Sequence, residues 1–123
     1  MVENQQTLFI SELVKSAKQS LVLIDNYVDE TVLSLFTKKK KGVTVDIYTN
    51  NISRALQEDA KKFNIQYGAL TLNKFNNSHD RFLLIDKTDV YHIGASLKDL
   101  GKKWFAFSKM DKDSLVIFNK LWI

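Results

Sequence analysis

Apolar residues recur along the chain in two alternating rhythms. Between residues 5 and 19, Phe9, Leu13, Val14 and Ala17 fall at helical spacing and predict an amphipathic helix. SLVLID then sets Leu21 to Ile24 in one unbroken apolar run before Asp25, the pattern of a strand covered on both faces. In DETVLSLFTKKKKG, Asp29 and Glu30 open a first turn, Val32, Leu33 and Phe36 share one side, and four lysines and Gly42 close the segment. Acid at the start, base at the end and a terminal glycine punctuate a helix, because they complement its dipole and release its last turn. VTVDIYT predicts a second, β-branched strand. SRALQEDAKKFN predicts a third helix with Leu56, Ala60 and Phe63 on one face, Ser53 as N-cap and Asn64 as stop, and a third strand is expected near Ile65 to Leu72.

Buried strands alternating with amphipathic helices predict parallel pairing through right-handed crossovers. After residue 80 the rhythm changes. RFLLID and DVYHIGA are separated by only Lys87 and Thr88, too little chain for a crossover, so an antiparallel hairpin is expected. KWFAFSK offers another strand, and DKDSLVIFNKLWI a short closing helix whose Leu115, Phe118 and Trp122 reach the core. The expected fold class is α/β, with a mixed, largely parallel sheet flanked by helices. At 123 residues, 45% hydrophobic, with no proline and no low-complexity linker, residues 1–123 read as a single domain.

Composition narrows the chemistry. There is no cysteine, and with two histidines a zinc site would draw most ligands from carboxylates, so neither a disulfide framework nor a metal centre is expected. No cofactor is expected. No apolar run approaches the roughly 20 residues of a membrane span, and MVENQQTLFISEL lacks a basic start and an apolar centre, so the expected location is cytoplasmic, with no membrane partner. A net charge of +4 suits an anionic partner such as nucleic acid without demanding one.

The chemistry-bearing stretch is NNSHDRFLLID. Side chains two apart on a strand share a face, so His79 and Arg81 are expected to point the same way and Asp80 and Phe82 the other. A neutral imidazole can attack phosphorus and hold it covalently, while a guanidinium forks onto phosphate oxygens and offsets their charge. Asp86, seven residues beyond His79, falls on the opposite face and takes a supporting role, anchoring the tight turn or ordering the residues behind the site.

His79, Arg81 and Asp86 match in order and spacing the His-x-Lys-x4-Asp signature of the phospholipase D superfamily. GASLK, Gly94 to Lys98, resembles the Gly-Ser-x-Asn element that follows it. The resemblance implies an α/β sandwich with one such motif per half. It makes His79 the nucleophile, Arg81 the occupant of the phosphate-binding lysine position and Ser96 a donor to phosphate, with Lys98 keeping the pocket cationic where the family carries asparagine. Arginine for lysine keeps the charge but not the point-like geometry. Single-motif members resemble half of the two-motif enzymes, so a homodimer sharing one phosphodiester site between two His79 residues is implied, with Trp104 or Phe105 as candidate interface anchors. The implied activity is that of a metal-independent phosphodiesterase or nuclease acting through a phosphohistidine. YHIGASLKDLGKKWFAFSKM also resembles C-terminal domains of phage-type DNA-binding regulators, which implies the alternative of a catalytically silent nucleic-acid-binding or assembly domain.

Four other features each have two readings. His92 has no cation two residues later, so a satisfied structural histidine is the simpler reading. Asp25, Asn26 and Tyr27 follow a strand end where α/β sheets gather ligand loops, and they also fit a helix-capping turn. The lysines at 38 to 41 fit a helix end meeting solvent or a nucleic-acid patch. GKKWFAFSK fits aromatic core filling or strand-bound nucleic acid.

Overall fold

The first apolar stripe folds as helix α1, Gln5–Ser16, with Gln6, Ile10, Leu13 and Val14 turned inward. The computed structural model describes residues 5–76, 80–102 and 105–111. Phe9, expected in the buried stripe, is instead 40% exposed and packs its ring edge-on to Tyr91 and obliquely on Phe107. Strand β1, Ser20–Ile24, is buried along its whole length, as its unbroken apolar run requires.

Helix α2, Glu30–Leu35, starts at Asp29, which is its N-cap and accepts the Thr31 and Val32 amides. The helix was expected to run on into the lysines. It tightens first, into a 3₁₀ turn over Phe36–Lys38 that keeps the fully buried Phe36 in the core. Lys39 is largely buried, with its ammonium 3.3 Å from the Tyr67 carbonyl oxygen, and burial lowers its pKa. Gly42 then turns the chain with φ +87° into strand β2, Thr44–Thr49.

Helix α3, Arg54–Gln66, is capped by the Ser53 hydroxyl and buries Leu56, Ala60 and Phe63, all as expected. Its end was misplaced by two residues. Asn64 does not stop the helix; its amide reaches forward to the carbonyl (2.9 Å) and N–H (2.8 Å) of Leu70 and fixes the entry to strand β3, Leu70–Lys74. Ile65, expected to begin that strand, lies on the outer face of α3 and is 87% exposed.

Strands β4, Arg81–Ile85, and β5, Asp89–Ile93, form the expected hairpin, and β6, Phe107–Met110, adds to it. The sheet order is β3-β2-β1-β4-β5-β6. β1, β2 and β3 pair in parallel, while β1–β4, β4–β5 and β5–β6 pair antiparallel, so the sheet is mixed. The main core sets Ile10, Val32, Phe36, Leu56 and Phe63 of the helical segments against Leu21, Leu23, Val45, Ile47 and Leu83 of one sheet face. Val22, Ile24, Phe82, Leu84 and Val90 form a second buried cluster on the other face. The closing helix expected over DKDSLVIFNKLWI lies outside the described residues. Among those residues no helix is long and apolar enough to cross a membrane, and no group of acidic and histidine side chains could hold a metal ion.

Candidate functional site

Antiparallel pairing of Ile24 with Phe82 and of Arg81 with Ile93 brings the end of β1, the start of β4 and the end of β5 to one end of the sheet. Loops at the carboxyl ends of the parallel strands gather there. Strand alternation puts Arg81 on the helix-covered face with Leu83 and Ile85, and Asp80 on the other face with Phe82. Asp80 accordingly meets His92, whose Nε2 lies 3.4 Å from Asp80 Oδ1 and whose ring packs edge-on against Phe82.

Asp25 is the polar centre of this end. It is fully buried, and both carboxylate oxygens are engaged. Oδ1 accepts the Tyr27 amide at 3.0 Å; Oδ2 accepts the Leu97 amide at 2.8 Å and faces Ser96 Oγ at 3.0 Å. Ser96 Oγ also lies 2.7 Å from the Tyr27 carbonyl oxygen and accepts the Lys98 amide at 3.3 Å. Asp25 and Ser96 thus clamp the loop after β1 to the turn after β5, across 71 residues of sequence. Burial pushes the Asp25 carboxyl above its ordinary value, opposed by the Leu97 and Tyr27 amides, the Ser96 hydroxyl and the positive charge of Arg81.

Among the described residues, Arg81 donates from Nη2 to the Gly94 carbonyl oxygen at 3.3 Å. Its Nε is buried and finds no hydrogen-bond acceptor among the described residues. Gly94 is closely packed: a Cβ here would lie 3.2 Å from the Ala106 carbonyl oxygen, and the Gly94 amide already donates to that oxygen at 2.9 Å. Lys98 reaches over the ring of Tyr27, its Nζ 5.2 Å from the ring centroid. A pocket of roughly 200 Å³ opens beside it, lined by Asn26, Tyr27, Val28, Asp29, Asn51 and Lys98.

Of the expected site residues, Arg81 and Ser96 both lie near Asp25 and Gly94, and Lys98 follows on the same turn, over Tyr27. Ser96 is buried, with its hydroxyl spent on Asp25 and Tyr27. His79 lies outside the described residues; β4 begins two residues later, at Arg81. Asp86 is at the far end of β4, where its carboxylate accepts the amides of Lys18, Gln19 and Ser20 at 2.7 to 3.1 Å. That is an anchoring position, remote from Arg81. Phe105, expected as an interface anchor, is instead buried in the core, its carbonyl accepting from the Gln6 amide, while Trp104 lies outside the described residues. Sequence reasoning left Asp25 open between capping and ligand binding; its position directly after a fully apolar strand was the available signal.

No family model matches this chain, and no curated protein matches it. Solved structures do. NucT from Helicobacter pylori is similar over 96% of this chain and 85% of its own, with a TM-score of 0.63 and 12% identity. TrmBL2, an archaeal chromatin protein described with a novel mode of DNA binding, is similar over 98% of this chain, with a TM-score of 0.58 and 19% identity. The chain spans 50% of the TrmBL2 chain it matches. At these identities the likeness is one of fold.

Proposed function

We propose that this domain binds the phosphodiester backbone of nucleic acid at the sheet end that carries Arg81 and the turn to Lys98. The observation that carries the reading is the Asp25–Ser96 clamp. It draws the turn from Gly94 to Lys98 against the loop after β1 and puts Lys98 over Tyr27, while Arg81, bonded to Gly94 of the same turn, has a buried Nε with no hydrogen-bond partner among the described residues. A guanidinium in such a place has donor capacity to spare for an anion. The match of His79, Arg81 and Asp86 to the phospholipase D signature supports the same ligand class, as does the fold shared with a DNA-binding chromatin protein. In the fuller form of this reading the domain pairs as a homodimer, and His79 attacks phosphorus without a metal.

A second reading, binding without hydrolysis, is favoured by one observation. The Ser96 hydroxyl, which the superfamily resemblance assigns to phosphate, is committed to Asp25 and Tyr27. One experiment separates the two. Anisotropy of labelled oligonucleotides of unrelated sequence, read over a range of salt, should show affinity that falls steeply with ionic strength and is indifferent to sequence. Arg81→Ala and Lys98→Ala should each weaken binding by about tenfold and flatten the salt slope by about one contact. Salt-independent or sequence-selective binding would exclude the backbone reading. In the same samples, turnover of bis-(p-nitrophenyl) phosphate that survives EDTA and vanishes in His79→Ala supports hydrolysis; equal rates in both proteins remove His79 from it.

A further inference from the structure

Tyr27 lines the pocket that Lys98 borders and is 58% exposed. Its backbone is nevertheless fixed on both sides. The amide donates to Asp25 Oδ1, and the carbonyl oxygen lies 2.7 Å from Ser96 Oγ. The ring is therefore rooted in the most constrained part of the site while presenting its surface to solvent, so little backbone entropy remains to be lost when something stacks on it. Lys98 sits on one side of that ring, with its ammonium in cation–π range. The pocket walls carry two side-chain amides, Asn26 and Asn51, and an apolar contact from Val28. Amides can both donate to and accept from the edge of a nucleobase. Asp29 also lines the pocket, and its Oδ1 is already occupied by Thr31 and Val32 as the helix cap. A cation, an aromatic ring and amides around one pocket match the phosphate and the base of a single nucleotide.

We infer that Tyr27 and its pocket form a base-stacking subsite, so that the nucleic acid held here is single-stranded. The inference rests on the backbone-binding reading and adds to it a choice of ligand. A duplex keeps its base faces stacked on one another, whereas an unpaired base can lie on an aromatic ring whatever its identity.

The test compares two labelled single strands of equal length, one carrying bases throughout and one with abasic sites in its central positions, against wild type, Tyr27→Ala, Tyr27→Phe and Arg81→Ala. Wild type should prefer the base-bearing strand by about tenfold, the scale of one stacked base. Tyr27→Phe should keep that preference, since the ring remains, and Tyr27→Ala should bring the ratio of the two affinities to about one. Arg81→Ala should weaken both strands together. Equal binding of the two strands by wild type, or a ratio unchanged in Tyr27→Ala, would overturn the subsite and leave backbone binding standing. Failure of wild type to bind either strand would overturn backbone binding and the subsite with it.

Discussion

At the scale of single residues, Asp25 organises the site end and carries an electrostatic cost for doing so. Because burial raises its pKa, the folded state holds the proton more tightly than the unfolded chain does. Stability from this group is therefore fully present below the ordinary value of 3.8 and is lost as pH rises through the folded value. Replacement by asparagine removes the charge, but it also turns one acceptor into a donor facing the Tyr27 or Leu97 amide. Asp25→Asn should consequently lower stability by about 2 kcal/mol at neutral pH, the cost of a buried donor left without an acceptor. Urea unfolding at a series of pH values should show a gap between wild type and variant that is widest near pH 4 and narrows toward neutrality. A gap that grows with pH would mean the carboxyl is not raised. The aspartate itself was visible in the sequence as the end of an apolar run, and Ser96 was visible as part of GASLK. That the two bond to each other was not, because a contact between loops 71 residues apart leaves no local pattern.

At the scale of elements, the β4–β5 hairpin was legible because the four polar residues Asp86 to Asp89 between two apolar runs leave no room for a crossover. Its chemistry was less so. Asp86 and Lys87 both take left-handed backbone, with φ of +56° and +60°, as a tight antiparallel turn demands and as lysine tolerates poorly. Lys87→Gly should raise stability by about 0.5 kcal/mol, the left-handed strain relieved less the added freedom of glycine in the unfolded chain. Asp86→Gly accepts the same backbone but removes the carboxylate that holds the Lys18, Gln19 and Ser20 amides, and should cost about 2 kcal/mol in chemical denaturation. Partial burial pulls the Asp86 carboxyl upward, but those amides and the Lys18 charge outweigh it and hold the group below its ordinary value of 3.8. Its contribution is present above that value and fades as pH falls through the folded one, opposite in sign to that of Asp25. An Asp86→Gly deficit that persists undiminished in acid would contradict the assignment. The boundary between α3 and β3 was misread for a related reason. Ile65 looked like the start of a strand, whereas the helix continues to Gln66 and Asn64 spends its amide on Leu70, a choice set by a residue six positions on.

At the scale of the whole molecule, one chain carries a single His79–Arg81 motif, and this limits what it can do alone. A displacement at phosphorus through a histidine adduct needs a nucleophile on one side and a proton donor for the leaving oxygen on the other, and one imidazole cannot occupy both in-line positions. A two-fold axis supplies the second with no new surface, since an isologous contact uses the same patch twice. The shared-site proposal thus ties oligomeric state to ligand stoichiometry, whether or not turnover follows binding. Tungstate, a tetrahedral oxyanion that stands in for phosphate, should bind with a calorimetric stoichiometry of about one anion per two chains, and light scattering should give the mass of two chains across the same concentrations. His79→Ala should abolish anion binding at this stoichiometry without altering the mass. Mixing wild type with an equal amount of that variant should leave about a quarter of the anion sites intact, because random pairing makes only that share of dimers wild type on both sides. A stoichiometry of one anion per chain, with occupancy falling in simple proportion to the wild-type fraction, would place a complete phosphate site within each copy and remove the dyad from the mechanism.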